Sequence, residues 1–276
     1  MSIGRGSGDD GRGSTLRVET VPVLGDNYAY LLVVEESGEA VAIDPAQATP
    51  VARRLEQQGL RLCAIWCTHH HGDHTGGIPQ LLREVASCPV VGHASDRGRI
   101  PGLTEAVEQG AVLTVGQGRR EVTVLHTPGH TRGAVCYHVD GDLPLLFTGD
   151  TLFAAGCGRL FEGDARTMFH SLQQIQALDP RTQIYCGHEY TLKNLDFAWQ
   201  MEPDNSHLAR RIEQVQASRE QGAPSVPFTL AQELQTSPFL RCDAPGIIET
   251  LTRRHGLQGT SPLEVFTRLR ELRNGF

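Results

Sequence analysis

The chain has 276 residues, 39% of them hydrophobic and 21% charged, a balance that predicts a folded globular protein and excludes a disordered polyelectrolyte. Its longest apolar run, residues 28–34, is too short to span a bilayer. A formal charge of −7 argues against a surface made to neutralise nucleic-acid phosphates, so neither nucleic acid nor a membrane is an expected partner.

In chain order, residues 1–14 are rich in Gly and Ser and lack the apolar core of a secretory signal, so they read as a mobile tail. Short β-rich runs follow at 16–23, 28–34, 40–43, 63–68, 90–92, 122–126, 135–139, 145–148 and 184–186. Amphipathic helices are expected between them at 51–58, 78–86 and 165–177. Hairpins mixed with helical crossovers predict sheets covered by helices, an α/β layered architecture. After Gly187 the alternating pattern ends, and helices are expected at 192–201, 205–221, 244–255 and 262–273, punctuated by prolines. The expected organisation is a tail at 1–14, an α/β unit at 15–188 and a helical unit at 189–276. Seven Cys, an odd number with no CxxC pair, do not suit a disulfide framework. With no export signal, cytoplasmic localisation is therefore expected; a monomer is expected as well.

Twelve His against nine Phe is the compositional oddity, and His is the commonest side-chain metal ligand. Five of the ten residues in Thr68-His69-His70-His71-Gly72-Asp73-His74-Thr75-Gly76-Gly77 can bind metal. In a loop leaving a strand, positions 69 and 71 can point one way while 73 and 74 project toward a second point, so one turn can serve two ions. His130 in TPGHT, Asp150 in FTGDT and His188 in CGHEY each fall in a loop just after an expected strand. Singly, each reads as a turn residue; with the HxHxDH loop they form a set.

The motifs THHHGDHTGG, TPGH, FTGD and GHEY, in this order, resemble the metallo-β-lactamase superfamily. Within it, the segments AGCGRLFEG and GHEYTLKNL and the helical C-terminal part resemble glyoxalase II, the hydroxyacylglutathione hydrolases. The resemblance implies an αββα sandwich followed by a small all-helical domain that closes over the substrate. It also implies one metal held by His69, His71 and His130, a second by Asp73, His74 and His188, and Asp150 bridging them. His70 would point away.

All seven ligands are N or O donors, so no thiolate selects the metal; zinc is expected first, with iron or manganese also fitting. Two divalent ions lower the pKa of a bound water to about 7 and attract an anionic substrate. Asp73 and Asp150 are then the catalytic carboxylates beside a bridging hydroxide, and no nucleophilic Cys is needed. Cys157 and Cys186 read as small buried side chains in tight turns.

The family's reaction is hydrolysis of S-(2-hydroxyacyl)glutathione, D-lactoyl foremost, to glutathione and the 2-hydroxy acid, the second step of methylglyoxal detoxification. For the glutathione part the resemblance points to Arg159, Phe161, Tyr190, Arg270 and Arg273. Arg270 and Arg273, three apart on one helix, share a face and suit a clamp on one carboxylate. Many relatives have Tyr at the position of Phe161 and Lys at that of Arg273, so altered affinity is expected. The alternative in the same superfamily is a glutathione persulfide dioxygenase with a single iron on two His and one carboxylate. The complete GHEY motif and the helical part bearing Arg270 and Arg273 favour the hydrolase.

Overall fold

The computed structural model describes residues 15–116 and 120–276; the expected tail at 1–14 lies outside the described residues. Two six-stranded sheets stack face to face with helices outside. The first runs β1 (Leu16–Val23), β2 (Asn27–Val34), β3 (Glu39–Ile43), β4 (Arg61–Trp66), β5 (Val90–His93) and β6 (Glu105–Val107) in that spatial order. The second contains β7 (Val112–Val115), β8 (Arg120–His126), β9 (Val135–Val139), β10 (Leu145–Gly149), β13 (Gln183–Cys186) and β14 (Phe228–Thr229), with a small β11 (Leu152–Phe153) and β12 (Gly156–Cys157) hairpin beside it.

The layering follows from the two-residue period of β2, which is buried at every position. Tyr28, Tyr30, Leu32 and Val34 face the second sheet, packing with Val122, Val124, Tyr137 and Phe147. Ala29, Leu31 and Val33 face the other way, under α1 (Ala48–Gln58) and α3 (Ile78–Glu84), against Val51, Leu55, Ile78 and Leu81. The pair β3 and β4 is parallel and needs α1 as its crossover; β10 and β13 are parallel and are joined through α4 (Ala165–Gln176).

The C-terminal region is helical: α5 (Thr191–Met201), α6 (Ser206–Glu220), α7 (Leu230–Thr236), α8 (Pro245–His255) and α9 (Pro262–Asn274). Its one strand, β14, pairs with β13 through Gln183↔Thr229 and Ile184↔Phe228, so this region extends the second sheet as well as covering it. One apolar cluster runs from the sheets through Met168, Leu172 and Ile175 of α4 into Phe239, Phe266 and Leu269. Among the described residues no helix is long and apolar enough to cross a membrane.

Several short elements have no counterpart among the expected ones, β14 and α2 (Gly72–Thr75) included. Strands β6 and β7 are short and half exposed, so their alternation is faint. The β11–β12 hairpin is two residues per strand. Helix α7 was legible in one signal: Thr229 and Gln232 form a capping box at its start.

Candidate metal centre

The chemistry collects where loops leave the strand ends of both sheets. After β4 the chain makes the single turn α2 (Gly72–Thr75) before α3. Gly77 is required at that junction: a Cβ there would lie 2.4 Å from the Pro45 carbonyl oxygen.

Two groups of three that match the expected sets converge there, and a third, Asp44 with His69 and His74, overlaps both. The ligand atoms of His69, His71 and His130 lie within 4.8 Å of one another, and so do those of Asp73, His74 and His188. In the first group His71 Nδ1 is 3.1 Å from both His69 Nε2 and His130 Nε2. In the second, Asp73 Oδ2 is 3.9 Å from His74 Nε2 and 3.6 Å from His188 Nε2. Asp150 stands between them. Its Oδ1 is 3.4 Å from His74 Nε2, and its Oδ2 is 3.4 Å from His130 Nε2 and from His188 Nε2. Gly187 makes room for this: a Cβ there would come within 2.5 Å of Asp150 Oδ1 and 2.7 Å of His74 Cε1. His70 points away from both groups, its Nδ1 3.2 Å from Asp96 Oδ1 and its Nε2 against Arg99.

Behind the ligands a further layer fixes each ring. His130 Nδ1 donates to the Arg159 carbonyl at 2.9 Å, and His69 Nδ1 meets the Thr68 hydroxyl at 3.0 Å. His74 Nδ1 meets Asp44 Oδ2 at 2.9 Å, and His188 Nδ1 meets Asp26 Oδ1 at 3.2 Å. Asp44, at a positive φ of 50°, also accepts from the Thr68 amide and hydroxyl at 2.7 and 2.6 Å. Asn27 Nδ2 donates to the Asp73 carbonyl at 3.0 Å and to its Oδ2 at 3.3 Å.

These surroundings split the histidines electrostatically. Burial pushes the pKa values of His69 and His130 below the usual value, and burial with the neighbouring His130 and His70 takes His71 down to about 4. Burial opposes protonation of His74 and His188 too, yet Asp150 outweighs it for both, aided by Asp44 and Asp26 respectively, and both are raised. Asp150 is held well below the carboxylate range because His74 and His188 overcome its burial. His74 Nε2 and Asp150 Oδ1 are buried without a hydrogen-bond partner. Orphaned buried polar atoms need an explanation, and the ligand set of five imidazoles and two carboxylates suits divalent cations between them.

His71, Asp73, His130, Asp150 and His188 form the floor of a cavity of about 580 Å³ walled by Phe153, Arg159, Phe161, Tyr190, Lys193, Asn194, Arg270 and Arg273, a volume in the range of small-molecule sites, with His69 and His74 buried beneath. All five residues expected for glutathione thus line one space. Tyr190 stacks on His188 with ring centroids 4.6 Å apart, and burial pushes its hydroxyl up to about 12. Phe161, 63% exposed, stands edge-on to His71 and His130 at 5.7 and 5.2 Å.

The two arginines of α9 divide their contacts rather than sharing one. Arg270, 3% exposed, donates through Nη1 to the carbonyls of Cys157 and Gly158 at 2.6 and 3.4 Å. Arg273 donates from Nε and Nη2 to Asn194 Oδ1 at 3.3 and 3.0 Å. Cys157 and Cys186 are buried with thiols pushed up by burial, Cys186 to about 12, as suits packing rather than nucleophilic roles.

Sequence reasoning missed Asp26, Asn27, Asp44, Lys193 and Asn194. Asp44 follows β3 directly in Ile43-Asp44-Pro45, a polar residue at a strand end like Asp150. Asp26 carried no comparable signal, because Gly25-Asp26 reads as an ordinary hairpin turn.

Two family descriptions match the chain: the metallo-beta-lactamase superfamily over residues 23–188 and the hydroxyacylglutathione hydrolase C-terminus over 189–276. The hydroxyacylglutathione hydrolase of Nitrosomonas europaea is 44% identical over 94% of this chain and 97% of its own length. That of Methylococcus capsulatus is 45% identical over 95% and 99%. Among solved structures, TTHA1623 in a di-iron-bound form is similar at a TM-score of 0.56 and 26% identity, covering 80% of this chain and 99% of its own.

Proposed function

This chain belongs to the hydroxyacylglutathione hydrolases of the metallo-beta-lactamase superfamily, and from that membership we propose a dinuclear thioester hydrolase whose preferred acyl group is D-lactoyl. The observation that carries the proposal is the pair of converging ligand groups joined by Asp150 on the floor of one cationic, aromatic-walled cavity.

His69, His71 and His130 would hold one ion, Asp73, His74 and His188 the other, with Asp150 reaching both. Zinc is the first candidate, iron or manganese the next. Bound there, the ions lower the pKa of water to about 7 and draw charge from the thioester carbonyl. Everything else falls to the chain. Asp73 Oδ2, with its side chain 45% exposed toward the cavity, accepts a hydrogen bond from the attacking water. Arg159, Lys193 and Arg273 supply positive charge for the two carboxylates of glutathione, and Tyr190 and Phe161 flank the thioester. Water adds to the carbonyl carbon, the C–S bond breaks, and the sulfur leaves as glutathione thiolate, protonated on release. The protein is taken to act as a monomer on the cavity that this chain lines. Seven free cysteines suit a reducing cytoplasm.

The direct assay is loss of the thioester absorbance of S-D-lactoylglutathione by metal-loaded protein beside a chelated sample. Chelator-sensitive hydrolysis is expected; metal-loaded protein that consumes oxygen with glutathione persulfide while leaving the thioester intact would replace this reading. Arg273→Ala is expected to raise KM about tenfold with little change in kcat, since the guanidinium binds remote from the reacting carbon. Steady-state kinetics check this, and an unchanged KM would remove Arg273 from the site.

A further inference from the structure

Resting on the dinuclear reading, we propose that the two metal positions are unequal: the Asp73, His74 and His188 position binds its ion more tightly and fills first, and Asp26 is a positioning residue for it. The ligand sets differ in charge. The first position draws on three neutral imidazoles. Apart from the shared Asp150, His69 and His130 meet the neutral Thr68 hydroxyl and Arg159 carbonyl, and Asp44 stands behind His69 on the far side of that hydroxyl, which donates to its Oδ2 at 2.6 Å. The second contains the carboxylate of Asp73 itself, and a further carboxylate stands behind each of its imidazoles: Asp44 at His74, 2.9 Å, and Asp26 at His188, 3.2 Å.

A carboxylate accepting the Nδ1 proton fixes the tautomer that turns Nε2 toward an ion and makes that nitrogen more basic; a neutral acceptor fixes the tautomer but adds less negative potential. Asp73 is itself tied down by Asn27, which donates to both its backbone carbonyl and its Oδ2. His74 Nε2, 1% exposed in its side chain and without a hydrogen-bond partner, faces this position. Asp73 and Asp26 belong to one position alone, and Asp44, whose carboxylate also lies within 4.8 Å of the His69 ring nitrogen, meets His74 directly, so Asp150 links a more anionic site to a less anionic one. Outer carboxylates of this kind are worth about 10- to 100-fold in metal affinity.

Asp26 allows the order to be read out, because its carboxylate is within ion-pair distance of His188 and of no other ligand, and it sits half exposed in the β1–β2 turn. Its replacement is therefore expected to leave folding intact. The test titrates metal-free full-length protein with Zn²⁺ against a chromophoric chelator, for the native chain and for Asp26→Asn. The native chain is expected to take up two equivalents, the first at least about tenfold tighter than the second. In Asp26→Asn the tighter constant is expected to weaken about tenfold and the looser one to stay in place. Two equal constants in the native chain, or a loss in Asp26→Asn that falls on the looser equivalent, would overturn the inference while leaving the hydrolase reading standing. A chain that binds no zinc would overturn both. Since binding is measured without substrate, the outcome does not depend on turnover.

Discussion

Asp150→Ala is expected to lower kcat/KM for the thioester by about 10³-fold or more and to strip both metal positions of their common ligand. Asp150 reaches both groups from the cavity side, at 3.4 Å from His74, His130 and His188. Without it, five imidazoles share a pocket with the single carboxylate of Asp73 at one side, and two divalent charges there would face each other with far less anionic compensation. The fold should survive, because Asp150 packs at the end of β10 rather than within the apolar cluster. Metal content by elemental analysis beside the rate checks the cause. A variant that keeps two ions and most of its rate would show that Asp150 does not bridge.

The second large effect is on stability and lies outside the metal centre. Arg211 on α6 and Glu233 on α7 form an ion pair at 2.6 Å, with side chains 5% and 0% exposed. Glu233 also accepts the Ala155 amide at 2.9 Å, in the left-handed turn of the β11–β12 hairpin, where φ is 53°. Burial already raises the Glu233 pKa against the pull of Arg211, so removing the arginine strands a buried carboxyl without the cation it pairs with. Arg211→Met is expected to destabilise the chain by about 3–5 kcal/mol, a fall in Tm of about 10 °C for a protein of this size. Thermal unfolding checks it. The Arg211→Met/Glu233→Leu double variant is expected to recover much of the loss, since it leaves no unpaired charge. It still takes the acceptor from the Ala155 amide, so KM should rise through the Gly158–Arg159 wall even where Tm is restored. If the single and double variants melted alike, the buried pair would not be the cause.

What the sequence made legible was chemistry at fixed spacing. HxHxDH, TPGH, TGD and GHE name seven side chains, and the structure brings all seven together, five of them on one cavity floor and His69 and His74 buried beneath. Strands such as β2, with an apolar residue at nearly every position, were equally plain. The support layer was harder to see, because Asp26 and Asn27 come from a hairpin turn about 160 residues before His188 in the chain, and such pairing depends on tertiary contact rather than local pattern. The same holds for Arg270. Its spacing from Arg273 gives the shared helix face, yet only the packing of α9 against the β11–β12 hairpin commits Nη1 to the Cys157 carbonyl. Glu233, a single acid in an amphipathic helix, carries no local mark of being fully buried.

The most direct test of the dinuclear centre is anomalous scattering from crystals of the zinc-loaded chain. Two peaks about 3.5–4 Å apart are expected, one among His69, His71 and His130, the other among Asp73, His74 and His188, with Asp150 reaching each. A single peak in fully loaded crystals, or a second peak away from these residues, would contradict the account.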